Sequence, residues 1–155
     1  NRTINRVGAA STKMLKKSVA QDSGLTQKQL TKRGFFRVIK SSISSLTYST
    51  LIRYGAVPLK DFSPKQNRQG VTAKAWGKRK LYRGAFILDS KGNHVFIRTS
   101  AKRLPIKKLQ GPIPSRLAAD ATLEAKVNAT IKERISRELS ANIKYYANQL
   151  LKRQR

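Results

Sequence analysis

Residues 63–83 hold seven cations, Lys65, Arg68, Lys74, Lys78, Arg79, Lys80 and Arg83, and no acid, with Trp76 and Tyr82 set among them. Ammonium and guanidinium groups at that density meet phosphate, and an aromatic ring between them offers a face on which an unpaired base can stack. Two readings of the segment are open. In one, a mobile basic hairpin contacts phosphates while Trp76 or Tyr82 stacks on a base. In the other, both rings belong to the core and the charges form a solvated loop. Lys102, Arg103, Lys107 and Lys108 make a second basic cluster. A third is a stripe: at about 100° per residue on a helix, Arg2, Arg6, Lys13 and Lys17 gather on one arc and Ile4, Val7, Met14 and Leu15 on the opposite one. Three clusters spread along the chain favour an extended field or a lined channel over a single reading head.

Reaction chemistry is harder to assemble. The single histidine, His94, follows a hairpin turn with no acid beside it in sequence, which fits a surface or edge-strand role better than that of a base or ligand. Asp61 and Asp89 are the main carboxylates outside the last helix, and a nuclease using one of them with magnesium is the weakest of the functions considered. Asp89 fits turn chemistry, since Asp side chains bond backbone two residues on. No P-loop, GxGxxG, HExxH or nucleophile elbow occurs, so no catalytic residue, metal ligand or cofactor site is assigned. Residues 25–33 followed by Gly34 could open a helix-turn-helix, but strand-like sequence comes next and leaves no recognition helix.

Charge bounds the partners. Across 155 residues, 34 bases face 7 acids, a formal charge of +27. Such an excess opposes compaction unless a polyanion or an acidic partner offsets it. Asp120, Glu124, Glu133 and Glu138 all lie near the C-terminus, so residues 1–119 set 26 bases against Asp22, Asp61 and Asp89 alone. A hydrophobic content of 39% over this length predicts one domain, 1–155, with a real core. No apolar run nears the roughly 20 residues a bilayer crossing needs, and the basic start lacks a signal peptide's apolar stretch, so a soluble, non-secreted protein without membrane partners is expected. Cysteine is absent, which removes disulfides and thiolate chemistry. The chain opens on Asn1 rather than Met, and is therefore expected to begin inside a longer protein.

The elements that must carry these groups read as α+β: N-terminal helices, a central mostly antiparallel sheet with basic hairpins, and a long C-terminal helix. Residues 1–34 read as a helical pair. Gly24 ends the first helix, and Thr26 with Gln29 forms a capping box for the second, Leu25 stapling to Leu30 and Gly34 stopping it. Residues 35–110 read as the sheet, with strands over 35–39, 46–52, 71–76, 81–88 and 95–97, the Ser- and Thr-rich 41–50 reading as solvated strand. Segments 85–88 and 95–97 make the clearest hairpin, and their consecutive apolar residues predict cover on both faces. Prolines in 104–114 allow one short edge strand there, with 111–114 a stiff bend. Ser115 is placed to cap a final helix over 115–153, on the order of 50 Å long. Its apolar residues Leu123, Val127, Ile131, Ile135, Leu139, Ile143, Tyr146 and Leu150 recur mainly every fourth position, so the stripe drifts around the helix. A drifting stripe predicts that its two ends pack on different things, the near end on the chain's own sheet and the far end (Ile135, Leu139, Ile143, Tyr146, Leu150) against a neighbouring subunit.

Read in order, Asn1-Arg2-Thr3-Ile4-Asn5-Arg6-Val7-Gly8, Ser23-Gly24-Leu25, Val57-Pro58-Leu59-Lys60-Asp61-Phe62, Ala85-Phe86-Ile87, Val95-Phe96-Ile97-Arg98 and Leu104-Pro105-Ile106-Lys107-Lys108-Leu109-Gln110-Gly111-Pro112 resemble the minor tail protein Z family of lambda-like tailed phages. Each fragment alone has low specificity; their succession along one short basic chain carries the likeness, over nearly its whole length. The resemblance brings no enzymatic motif. It implies a virion protein of the tail and neck region, assembled in the host cytoplasm, that completes the head-proximal end of a long tail beside the tail terminator and the head–tail connector. It further implies a homo-oligomeric ring, related neck proteins often having six subunits, and a part in placing the DNA end. A ring lined by Lys and Arg would hold a duplex tip without reading bases, since phosphate contacts position and do not specify. The same cations could equally dock on acidic faces of neighbouring tail subunits. The alternative from the residues alone is a non-specific nucleic-acid-binding protein of ribosomal or nucleoid type.

Overall fold

The computed structural model describes residues 1–153. The chain opens with α1 (Arg2–Ser23), whose C-terminus is turned off at Gly24 (φ 78°), the Gly24 N–H bonding back to the carbonyls of Ala20 and Gln21. Glycine is needed here for two reasons. A left-handed φ strains any residue with a side chain, and a Cβ at position 24 would lie 2.5 Å from the Lys74 carbonyl oxygen. The capping box then forms as the sequence predicts: the Thr26 hydroxyl accepts from the Gln29 N–H, and the Gln29 side chain accepts from the Thr26 N–H. It starts α2 (Gln27–Lys32), and Leu25 and Leu30 are both buried in the core.

The class is α+β, and the strand material divides into three small antiparallel sheets. Strands β1 (Phe36–Ile39) and β2 (Ser49–Ile52) pair alone. Strands β3 (Lys65–Asn67), β4 (Gly70–Ala73) and β5 (Lys80–Arg83) form a second sheet, and β6 (Ala85–Leu88), β7 (His94–Arg98) and β8 (Ile106–Lys108) a third. Several boundaries differ from those expected. Segment 81–88 is two strands, because Gly84 takes a left-handed φ of 68° and hands the chain from one sheet to the next. Strand 71–76 stops at Ala73, where a short turn, Ala75–Gly77, begins. Residues 41–48 are loop rather than strand: Asn5 on α1 holds Ser41 through two bonds, its Nδ2 donating to the Ser41 carbonyl and its Oδ1 accepting from the Ser41 N–H, so these groups are unavailable to a ladder.

The 85–88/95–97 hairpin is present in the register Phe86↔Phe96 and Ile87↔Val95. Its second face is covered by cationic side chains rather than by another layer: the Arg98 guanidinium sits 5.1 Å from the Phe86 ring centroid, and the Lys91 ammonium 5.9 Å from that of Phe96. Strand β8 is the short edge strand that the prolines allow.

A contiguous core joins Val19, Leu25, Leu30, Phe35, Val57, Leu59, Phe62, Val71, Val95 and Leu123. At its centre the turn Leu59–Phe62 buries both of its end residues, and its approach is tied to the 109–112 bend by the Gly111 N–H to Val57 carbonyl bond (2.7 Å) and the Leu59 N–H to Leu109 carbonyl bond (3.2 Å). Gly111 lies against the Phe62 ring, where an added Cβ would come within 2.5 Å.

The C-terminal helix starts later than Ser115. Pro114 opens a short helix, α3 (Pro114–Ala118), and the chain breaks before α4 (Ala121–Arg153). Asp120 rather than Ser115 supplies the cap, its Oδ1 accepting from the N–H groups of Thr122 (2.8 Å) and Leu123 (3.2 Å). Those bonds hold the Asp120 carboxyl below its ordinary pKa, the one from Leu123 counting most. Helix α4 packs chiefly along α1, not on a sheet as the drifting stripe predicts for its near end, and runs antiparallel to α1, since Thr3 meets Asn142, Arg6 meets Glu138 and Met14 meets Thr130.

Truncating the buried centre should be costly and truncating the loop should not. Phe62→Ala is expected to lower unfolding stability by about 3–5 kcal/mol. Leu46→Ala, at an exposed site, should stay within about 0.5 kcal/mol. Urea denaturation followed by circular dichroism checks both.

Candidate functional site

The basic segment is divided between the edge strands of one sheet and the turns that join its strands. Lys65 lies on edge strand β3, Arg68 in the turn into β4, Lys74, Lys78 and Arg79 in the connection between β4 and β5, and Lys80 and Arg83 on edge strand β5. All seven are exposed. Thr72, in register with Lys65, bridges two parts of this surface: its hydroxyl donates to the Lys65 carbonyl and accepts from Arg79 Nη1 (3.2 Å).

The two aromatic residues of the segment part company. Tyr82 pairs with buried Val71, packs on the core and has a buried hydroxyl without a hydrogen-bond partner; burial raises its pKa. Trp76 stands 49% exposed, on a backbone with φ 55° and ψ 36°. The core reading therefore applies to Tyr82, and the displayed ring is Trp76.

The second cluster is also split. Lys102 and Arg103 are exposed on the loop between β7 and β8, and Lys107 is exposed on β8. Lys108, one position on, points the other way, is half-buried and lies 3.2 Å from His94 Nε2. With ammonium as donor, Nε2 is the acceptor and the proton of neutral His94 sits on Nδ1, which is buried without a partner. His94 opens the middle strand of its sheet, so the edge-strand expectation is corrected: it is half-buried, with cations as neighbours. Burial, then Lys108 and Lys60, lower its pKa, against a smaller opposing pull from Asp61.

On α1, Lys13 and Lys17 are exposed, while Arg2 and Arg6 are engaged with α4. Arg6 Nη1 pairs with Glu138 at 3.1 Å, and the Arg2 guanidinium lies 5.5 Å from the Tyr145 ring centroid. Sequence reasoning did not foresee that the stripe would be divided in this way, because nothing in the local pattern says which helix lies alongside. Asp61 pairs with Arg33, and its backbone carbonyl accepts from Gln29 Nε2, a structural use for the carboxylate that its sequence context did not disclose. Asp89 sits in the hairpin turn, where its carbonyl, rather than the expected carboxylate, closes the turn onto the Gly92 N–H.

The apolar stripe of α4 leaves the protein along its length. Exposure rises from 6% at Leu123 through 45% at Ile135 and 49% at Leu139 to 60% at Ile143, 56% at Tyr146 and 63% at Leu150. A groove of about 540 Å³ opens between α1, the 46–50 segment and α4, lined among others by Ile4, Val7, Tyr48, Ile131, Ile135 and Leu139. Helix α4 passes the start of α1 near Asn142, leaving its last turns, with Tyr145, Tyr146, Leu150 and Leu151, exposed.

Among the described residues there is no grouping of three or more His, Asp or Glu able to hold a metal, and no helix is long and apolar enough to cross a membrane. What the surface does offer is unneutralised cations on sheet and loop, and an uncovered apolar helix face, the equipment of an assembly protein. The chain belongs to the prophage minor tail protein Z (GPZ) family, whose family model matches residues 1–153. It is a structural component of the phage tail, and hence of the virion. No curated protein and no solved structure matches it.

The surroundings of His94 give a pH test. Its pKa is depressed in the folded protein, so between the unfolded value of about 6.5 and the lower folded one the unfolded chain binds more protons. Stability is therefore full above about pH 6.5 and falls as pH drops through that window. His94→Gln should flatten this part of the stability profile, read from urea midpoints between neutral and mildly acidic pH. An unchanged slope would contradict the assignment.

Proposed function

We propose that this protein completes the head-proximal end of a long phage tail and helps join tail to head, as a homo-oligomeric ring in the neck assembled in the host cytoplasm. Its subunits pack through the far half of the α4 stripe. Its cationic sheet surfaces face the DNA end or acidic faces of the tail terminator and head–tail connector. One observation carries the reading: among the described residues most cations, and the apolar face of the far half of α4, are left without partners. Among the described residues three ion pairs form, Arg6–Glu138, Arg33–Asp61 and Arg137–Glu133, in a chain of 34 bases. The exposed apolar residues meanwhile concentrate on α4, whose acids Glu124, Glu133 and Glu138 lower the charge density and so the repulsion between copies. Ring closure through a heterologous contact needs two different patches on each copy. The α4 overhang and the α1/α4 groove are two such patches.

The contacts expected of this reading are Ile135, Leu139, Ile143, Tyr146 and Leu150 between copies, and Lys65, Arg68, Lys74, Lys78, Arg79, Lys80, Arg83, Lys102, Arg103 and Lys107 towards phosphate or carboxylate. Lys108 leaves the earlier set because it faces His94.

Two outcomes are expected. In sedimentation, the wild-type chain should self-associate with concentration, whereas Ile143→Ser with Leu150→Ser should stay monomeric with unchanged thermal unfolding of the monomer; a wild-type protein that is monomeric throughout overturns the ring. In a complementation assay, Lys102→Glu, Arg103→Glu and Lys107→Glu together should leave tails assembled but reduce their joining to filled heads. Normal titres from that variant would remove this cluster from the joining surface.

A further inference from the structure

The most unusual exposed group is Trp76. Isolated exposed apolar residues are ordinary, but this one occupies a left-handed conformation (φ 55°, ψ 36°) that a residue with a large side chain seldom adopts. Its backbone is held in place from behind. The Lys74 N–H bonds the Phe62 carbonyl at 2.9 Å, the Lys78 N–H bonds the Ala75 carbonyl at 3.3 Å, and Ala75 is buried in the core. The turn also rests on the end of α1, where glycines on both sides permit the approach: a Cβ on Gly24 would lie 2.8 Å from the Gly77 nitrogen, and one on Gly77 would lie 3.2 Å from the Gln21 carbonyl oxygen. The ring is therefore presented by a braced turn. Strained backbone maintained by such bracing is a mark of functional positions.

Its neighbours in the turn define the ligand. Lys74, Lys78 and Arg79 are all exposed, and no acid occurs between Asp61 and Asp89. A half-exposed indole in an acid-free cationic field matches a strand whose bases are unpaired: phosphates meet the cations, and one base lies on the ring. A duplex keeps its interior bases stacked on one another and has a free face only at its terminal pairs, whereas every base of an unpaired strand can offer one. An acidic protein segment satisfies the cations but not the indole.

We propose that Trp76 is a stacking platform for an unpaired base of a polynucleotide strand, with Lys74, Lys78 and Arg79 contacting the flanking phosphates. The proposal rests on the reading of this surface as one that meets phosphate, and adds to it a preference for unpaired over paired strands.

Trp76 is the only tryptophan in the chain, so emission excited at the red edge, beyond tyrosine absorption, reports on it alone. The full chain is titrated with short oligothymidylate, oligouridylate, a closed circular duplex and poly-glutamate, and affinities are measured in parallel by filter binding of the labelled polymers. Stacking predicts quenching by both single strands, their ratio telling DNA from RNA, and no quenching by duplex or poly-glutamate. Trp76→Ala should weaken single-strand binding by roughly tenfold and leave duplex binding unchanged. Trp76→Gly should do the same while easing the backbone, which separates loss of the ring from loss of the fold, and Trp76→Phe should retain most of the preference. Equal affinity for single strand and duplex with unaltered emission, quenching by poly-glutamate, or no loss in Trp76→Gly would overturn the platform. Salt-sensitive duplex binding that persists in those cases leaves the phosphate reading standing. Failure of every nucleic acid to bind at low salt overturns both.

Discussion

A charge of +27 on 155 residues constrains everything else in this fold. An unpaired ammonium or guanidinium group cannot be buried without a penalty of several kcal/mol, and there are too few acids to pair the bases off. Each element can therefore offer the interior only a narrow apolar edge. The outcome is three small sheets and a helical pair gathered round one core, instead of one broad sheet with a fully apolar face. Where a second apolar face does arise, on the β6–β7 hairpin, it is closed by Arg98 and Lys91 lying over Phe86 and Phe96. Cations thus substitute for a packing layer, with their charged ends still in water.

The same constraint explains the division of labour along the chain. Four of the seven acids lie at the cap of the C-terminal helix or on it, and none lies in the segment that presents Lys65 to Arg83. Two of the few ion pairs among the described residues hold elements together: Arg33 with Asp61 ties the end of α2 to the central turn, and Arg6 with Glu138 fixes α1 against α4. Most of the remaining cations face outward with their charge uncompensated, which is how a tail protein would carry the means of binding its neighbours before meeting them.

Geometry at two glycines links core to surface. Gly111 lets the 109–112 bend lie against Phe62 at the centre of the core, and Gly24 lets the end of α1 lie against the turn that carries Trp76. In both, backbone approaches closer than a side chain would allow, so the displayed indole and the buried phenyl ring are positioned by one mechanism. Membership in the minor tail protein Z family gives these surfaces their setting in a phage tail, while the arrangement of charge and exposed ring defines what they are able to touch.

Local pattern was enough for features with local causes. The capping box at Thr26 and Gln29, the stop at Gly24, the 85–88/95–97 hairpin, the short proline-limited edge strand and the drift of the α4 stripe could all be read from residue spacing, because propensity, turn chemistry and periodicity act within a few residues. The family resemblance was likewise visible in the order of short fragments. What depended on long-range contact was not legible: that Gly84 would pass the chain between sheets, that Asn5 would draw 41–48 out of any ladder, and that Asp120 would cap the last helix in place of Ser115. Nor could spacing tell that Lys108 turns inward to His94, that Arg2 and Arg6 are engaged by α4, or that of two aromatic residues in one basic segment Tyr82 is buried and Trp76 displayed. Each of these is settled by which distant backbone or side chain reaches the residue first, and that competition is decided only when the elements pack.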